Sequence, residues 1–476
     1  MSAGLAEAPS RSAAAGAVPV PGRLPALGAW WLSPLGAVLL VAPASLIGAW
    51  LIPDARYRSE WRTPKELTGS FTVLLVLGLV AFVLGVACWQ LRTAQVWRGR
   101  WPALSAGDLT VLHRAGTWVF RATIAGYVAL GCIGLARGVS PLDLVKVLVT
   151  LSTDDALKES FAPVAGLTTF TQLGIAYAVI AGLLIRRRRA GGQLARRDRL
   201  VRRRLWVLLV LAALRAFLLS ERLAVLELVV PLVGIVALRL SVAPRRRVRR
   251  SVKLAPVVLL PLLVAVFGAF EYARSWQYYA AHGGTSFVDF VLVRFAGYYA
   301  TAYNNAAIAY AHAGFPGRLP YSSVEFLWTA PGVSQLDLYR RLTGESAPDQ
   351  LQAALDHYGN LEFNNPGGLG IPFADLGPVG GVLCLLGMGL VAGWCWHSLR
   401  SGRPAGMLLY PVFLIGLFEM PRYLYLSQGR VLPALVVLAL VARRLDRGGP
   451  SPVGLRLRRR LLPGFQAPTR ECEIRA

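Results

Sequence analysis

Residues 186–253 read RRRRAGGQLARRDRLVRRRLWVLLVLAALRAFLLSERLAVLELVVPLVGIVALRLSVAPRRRVRRSVK. Two arginine-dense blocks, 186–204 and 245–253, enclose two apolar runs at about 204–220 and 223–241, joined only by Ser220-Glu221-Arg222. Wound as helices rising about 1.5 Å per residue, runs of that length match a hydrocarbon core of about 30 Å. Arginine and lysine collect at the cytoplasmic ends of membrane helices, so the stretch predicts a hairpin with both feet in the cytoplasm.

The rest of the chain agrees in kind. Of 476 residues, 55% are hydrophobic and mean hydropathy is +0.49, which excludes an ordinary soluble domain. The net charge of +26 would suggest nucleic acid in a soluble protein. Here the basic residues fall between apolar runs, so they set orientation, and nucleic acid is not expected as a partner. Lysine occurs only at 65, 146, 158 and 253, a bias read as genomic composition. The five cysteines show no metal-ligand or disulfide spacing. Residues 1–27, rich in Ala, Pro, Ser and Gly, are expected to be a disordered cytoplasmic N-terminus. Ala42-Pro43-Ala44 resembles a signal-peptidase site, but the apolar run continues to Ile52, favouring an uncleaved first helix.

Hydropathy places about ten spans at 33–52, 71–91, 116–136, 163–185, 204–220, 223–241, 254–271, 371–396, 405–419 and 429–443. The expected fold class is therefore an all-α polytopic membrane protein with both termini cytoplasmic. Its parts are a seven-helix portion (28–271), a large extracytoplasmic loop (272–370), a three-helix portion (371–443) and a basic cytoplasmic tail (444–476). The acids Asp54, Glu60, Asp154, Asp155 and Glu159 fall in connections assigned to the outside. Residues 286–313 are also long enough to cross, but counting them would place the C-terminal arginines outside. At about 100° per residue, Arg294, Tyr298, Thr301, Asn305 and His312 lie within about 40° of one direction. That polar stripe predicts a helix at the interface or lining a wet cavity.

Arg215 and Glu227 lie on either side of the 220–222 turn, each on the order of 9 Å below it, which makes them expected partners. Arg121 and Arg239, near cytoplasmic ends, are expected to snorkel. No P-loop, GxSxG, HExxH or dinucleotide fingerprint is present. What remains is an outer-side set of Arg222, Arg274, Arg294, Arg340, Arg341, Arg422 and Arg430, with Glu221, Glu271, Glu362, Asp375 and Glu419. His282, His312 and His357 also fall outside. Such a set suits a lipid-linked sugar. Guanidinium groups bind a pyrophosphate bidentately and stabilise the charge that builds on it as the glycosyl bond breaks. A histidine or carboxylate can take the proton of the attacking hydroxyl. Tyrosines and tryptophans of the loop offer flat faces for sugar rings, and also suit an interfacial belt.

The hairpin LRAFLLSERLAVLELVVPLVGIVAL (214–238), the large outer loop and NNPGGLGIPFADLGPVGGVLCLLGMGLVAG (364–393) together resemble Wzy-type oligosaccharide repeat-unit polymerases, relatives of the O-antigen ligases. The residues carrying the likeness are Ser220 and Arg222 in the turn, and Phe373-Ala374-Asp375-Leu376-Gly377 after the glycine run. The resemblance implies a GT-C-like glycosyltransferase acting on the outer face of the bacterial cytoplasmic membrane, with no cofactor and no metal. A growing glycan would leave its polyprenyl pyrophosphate and join the next lipid-linked repeat, with Arg222 on the pyrophosphate. The partners so implied are the polyprenyl-pyrophosphate-linked oligosaccharide, membrane lipid and, in some systems, a chain-length regulator. The arginine–ten residues–glycine pattern of some members is not reproduced in the large loop. The expected catalytic set is Arg222, Arg294, His312, His357 and Glu362. The expected substrate-binding set is Arg215, Arg274, Asn305, Asp375, Arg422 and Arg430. Two other readings are a lipid-linked oligosaccharide flippase, which would show two similar halves and a central two-lobed cavity, and a transferase of single sugars. A cavity open to lipid on the outer side would favour the polymerase.

Overall fold

A computed structural model describes residues 29–91, 104–140, 168–185, 193–219, 223–243, 245–282, 286–314 and 319–447, with Glu221 and a few single positions between 142 and 166. Among the described residues all regular structure is helical. In chain order the main elements are α1 (Pro34–Leu51), α2 (Asp54–Trp61), α3 (Gly69–Leu91), α4 (Ala106–Ala136) and α5 (Leu173–Leu184). Next come α6 (Gln193–Leu218), α7 (Leu223–Ser241), α8 (Arg246–Lys253), α9 (Ala255–Glu271), α10 (Gln277–His282) and α11 (Phe287–His312). Short helices α12 (Glu325–Trp328), α13 (Leu338–Thr343) and α14 (Ala347–Tyr358) precede the final α15 (Ile371–Arg400), α16 (Pro404–Glu419) and α17 (Leu432–Arg447).

Each apolar run read from the sequence contains a helix. Among the described residues five helices, α1, α3, α4, α7 and α15, are long and apolar enough to cross a membrane, and the bent pair α8–α9 makes a sixth if it acts as one span. The outward faces support that reading. Val73, Val76, Leu77, Val80 and Leu84 of α3 are exposed, as are Val257, Val258, Leu260 and Leu262 of α9. Water would penalise apolar surface on that scale, whereas lipid tails would not. The chain is a helical membrane protein.

Packing explains several sequence features. α3 lies along α15 at backbone contact: a Cβ on Gly389 would sit 2.2 Å from the Phe82 carbonyl oxygen, and one on Gly85 would sit 2.3 Å from that of Leu386. Small residues at such a seam let two membrane helices gain van der Waals contact along their length. α5 is apolar on every side because every side is covered, by α4, α6, α7, α16 and α17. Arg239 does not snorkel; it donates to the Leu183 and Ile185 carbonyls at the end of α5, capping groups that would otherwise have no partner.

Of the two places expected for α11, the interface and the lining of a cavity, it takes the second, through Phe295, Tyr298 and Tyr299. Residues 300–309 are all buried, packed against α1 and α15, so the helix runs through the protein instead of lying on its surface. Its polar residues serve inward contacts. Asn304 accepts from the Leu67 N–H at 3.1 Å and donates to the Pro64 carbonyl at 3.0 Å. Asn305 donates to the Phe363 and Asn365 carbonyls. One pair of asparagines thus clamps two separate loops to one end of the bundle.

Candidate functional site

That end carries a cavity of about 650 Å³. Its apolar wall comes from Leu223, Val225 and Leu226 of α7 with Leu263, Val266, Phe267 and Phe270 of α9. Its polar wall comes from Glu221, Tyr321, Ser322, Glu325, Asn364, Asn365, Glu419, Arg422, Gln428 and Arg430. Phe295, Tyr298 and Tyr299 on α11 complete the aromatic part of the lining, and Leu351, Leu355, Ile371 and Leu424 add further apolar surface.

Local folding explains how the polar wall is held. After α16 the chain turns back through 420–431, placing Arg422 and Arg430 on the wall. Gly367 N–H donates to the Arg422 carbonyl at 2.9 Å. Gly367 has φ +58, and a Cβ there would stand 2.4 Å from the Ala302 carbonyl oxygen. Both observations explain a glycine in the 364–370 run. Arg422 pairs with Glu419 at 2.8 Å and lies over the Tyr298 ring at 5.1 Å.

A chain of alternating charge runs from the cavity into the helices. Arg430 reaches Glu227 at 2.9 Å and Glu221 at 3.9 Å, and Glu221 meets Arg215 at 2.6 Å. Tyr425 donates to Glu227 at 3.0 Å. With its amide nitrogen toward Glu227 at 3.1 Å and its oxygen toward Arg215 at 3.2 Å, Gln172 joins the two ends. The expected Arg215–Glu227 pair is therefore corrected. Arg215 pairs with Glu221 in the turn, and the cation beside Glu227 comes from Arg430, about 200 residues later in the chain. Equal depth in a hairpin allowed the pair, but the third element got there first.

The part of the polar wall that carries Tyr321, Ser322 and Glu325 is shaped by Asp375. Its carboxylate accepts from the Ser323 N–H at 2.5 Å and so pins the turn that leads into α12. Glu325, the first residue of α12, lines the cavity. Burial pushes its carboxyl up to about 7, with the charge of Arg430 pulling the other way.

The sequence-predicted residues thus separate into groups. Arg422 and Arg430 line the cavity, and Arg215 stands behind it through Glu221. Asp375 and Asn305 hold the segments that form the wall. Arg294 is 5% exposed and sits between Glu271 and Glu362, at 2.8 Å from each, with Tyr279 also donating to Glu362. This triad ties the end of α9 to α11 and to the loop after α14, and does not line the cavity. His312 and His357 are exposed; His312 stacks on the Tyr358 ring and His357 meets it edge-on, and neither lines the cavity. Arg222 lies outside the described residues, and for Arg274 only the backbone is described, within the turn Tyr272–Trp276. Glu325 was missed by sequence reading. One signal was available: a single glutamate amid SSVEFLW, between apolar and aromatic neighbours.

Among the described residues no group of three or more His, Cys, Asp or Glu side chains is placed to hold a metal. Fold and site together define a helical membrane protein with a two-faced cavity, apolar on the side of α7 and α9 and ionic on the other. No family model, curated protein or solved structure matches the chain.

Proposed function

We propose that this protein is an oligosaccharide repeat-unit polymerase of the Wzy type. In this reading it is a ten-span, GT-C-like glycosyltransferase with both termini cytoplasmic and its cavity on the outer face of the bacterial cytoplasmic membrane. It moves a growing glycan from its polyprenyl pyrophosphate onto the next lipid-linked repeat.

The observation that carries the proposal is the two-faced cavity. A polyprenyl-pyrophosphate-linked sugar is apolar at one end, doubly charged in the middle and polar at the other, and the lining supplies apolar side chains, guanidinium groups and polar side chains for the three parts. The apolar wall belongs to helices whose outer faces are themselves exposed and apolar, a route for a lipid tail. A guanidinium has five donors, and the ion pairs of Arg422 and Arg430 use only some of them, leaving others for phosphate oxygens. Tyr298, Tyr299 and Tyr321 give ring faces and hydroxyls at which sugars can be held. The lining residues come from helix ends and connections that the arginine pattern assigns to the outer side. Arg222, the residue the resemblance puts on the pyrophosphate, follows Glu221 of the cavity wall in the chain.

As the glycosyl–oxygen bond breaks, its electron pair passes to the leaving pyrophosphate. Fixed guanidinium groups stabilise that charge without reorganising, in a site partly screened from water. The test is reconstitution of the purified protein in liposomes with polyprenyl-pyrophosphate-linked repeats. A ladder of products differing by one whole repeat is expected. Transfer of intact substrate across the bilayer with no new linkage would replace the polymerase by a transporter, and growth by single sugars would replace it by a monosaccharide transferase.

A further inference from the structure

We propose that Glu325 is the general base that takes the proton from the attacking sugar hydroxyl, an assignment that rests on the polymerase reading above. Three carboxylates line the cavity among the described residues, Glu221, Glu325 and Glu419. Glu221 is held by Arg215 at 2.6 Å and faces Arg430 at 3.9 Å, and Glu419 is held by Arg422 at 2.8 Å. A carboxylate locked to a guanidinium has its lone pairs engaged by that cation and directed away from an incoming hydroxyl. Glu325 has no ion pair within 4.0 Å among the described residues. It is the lining carboxylate left free to accept a proton.

The backbone holds Glu325 on the polar wall that also carries Arg422 and Arg430. Below it, Asp375 fixes the preceding turn through the Ser323 N–H. Behind it, the Trp328 indole donates to the Pro320 carbonyl at 2.8 Å, and the Thr329 hydroxyl donates to the carbonyl of Glu325 itself at 2.9 Å. Beside it, the arginine-bearing segment packs at backbone range: a Cβ on Gly429 would sit 2.1 Å from the Thr329 hydroxyl oxygen. Arg430, the next residue, therefore shares the cavity with Glu325 without pairing to it. Base and cation stand on two segments locked together, as required if one is to receive a proton while the other steadies a departing anion.

In the step, the acceptor oxygen forms a bond to the anomeric carbon as the bond to the pyrophosphate oxygen breaks. The hydroxyl proton passes to Glu325, and the leaving electron pair stays on the pyrophosphate beside Arg422 and Arg430. The charged and titratable groups that share the cavity with Glu325 are Arg430, Arg422, Tyr423 and Glu419 from the end of α16 and the segment after it, Glu221 from the α6–α7 turn, Tyr298 and Tyr299 from α11 and Tyr321 in the preceding turn, with Asp375 of α15 behind that turn. Burial favours the protonated carboxyl and Arg430 opposes this, which leaves the group titrating at about 7. As a base it works ionised, so the rate should rise with pH through about 7 and level off above.

The experiment uses the full chain in proteoliposomes, with lipid-linked repeats extracted from cells lacking the protein. Glu325→Gln keeps shape and breaks no ion pair; its elution profile and thermal midpoint in detergent serve as the check on folding. The expected result is a fall in kcat of about 10²–10⁴-fold with KM within about twofold, together with loss of the acidic limb of the pH profile. Glu325→Asp should retain that limb at a reduced rate. A Glu325→Gln protein that polymerises at the wild-type rate, or that keeps the limb near pH 7, overturns the assignment. So does a wild-type profile flat from pH 6 to 8, which needs no variant. If the wild type itself joins no repeats, the polymerase reading falls and this assignment with it, whereas an active wild type beside an equally active Glu325→Gln removes only the assignment.

Discussion

Replacing Arg430 by methionine tests the charge network at its centre. The change keeps much of the side-chain volume and removes the cation that lies 2.9 Å from one oxygen of Glu227 and 3.4 Å from the other. The Glu227 side chain is 2% exposed and that of Arg430 is 24% exposed, so the remaining carboxylate cannot turn to water. Tyr425 and Gln172 would still donate to it, but neither carries charge. Removing one partner of such a buried pair costs about 3–5 kcal/mol, because the other is left as an uncompensated charge. Removing the charge on Glu227 as well should undo much of that loss. Arg430→Met/Glu227→Gln is expected to recover about 1–3 kcal/mol relative to Arg430→Met alone, a coupling of the size found for residues in one network. Denaturant titration in detergent micelles would give the differences from transition midpoints and slopes. Equal stability of the single and the double variant would refute the reasoning, because it would mean that Glu227 carries no charge needing Arg430.

At the α3–α15 seam, Gly389→Leu should force the backbones apart at Phe82 and lower stability by about 1–3 kcal/mol or more, seen as loss of monodisperse protein on size exclusion. The neighbouring Gly387, which meets nothing within 4 Å, should accept alanine without such loss. His312→Ala and His357→Ala, on the surface against Tyr358, should each leave polymer length unchanged and stability within about 0.5 kcal/mol; a shortened polymer in either would return that histidine to the site.

The distribution of what could be read early follows from the range of the forces involved. Helix positions depend on local hydropathy, and the bounds read at 223–241 coincide with those of α7, Leu223–Ser241. The stripe on residues 294–312 was visible for the same reason, since a helical period is a local property. Its meaning was not visible. Polar side chains on one face suit a surface, a wet channel or buried loops that need clamping, and only the neighbours choose among these. Asn304 and Asn305 turned out to hold loops from both ahead of and behind them in the chain. A run of glycines such as 364–370 permits close backbone approach, and Gly367 makes one against α11, but its partner carbonyls at Ala302 and Arg422 cannot be named from the sequence.

The sequence by itself determined that this is a helical membrane chain and roughly where its apolar helices lie, though α4, α5 and α6 begin about ten residues from the starts read at 116, 163 and 204. Those features follow from the free energy of moving apolar and charged groups between water and lipid, which each segment feels on its own. Only the tertiary structure decided which charges meet. Arg430 displaced Arg215 as the partner of Glu227, Arg294 became one member of a triad with buried Glu271 and exposed Glu362, and the histidines were left on the surface. It also singled out Glu325 among the lining carboxylates. Ion pairing acts over a few ångströms between atoms that can be hundreds of residues apart, and that distance is set only when the helices pack.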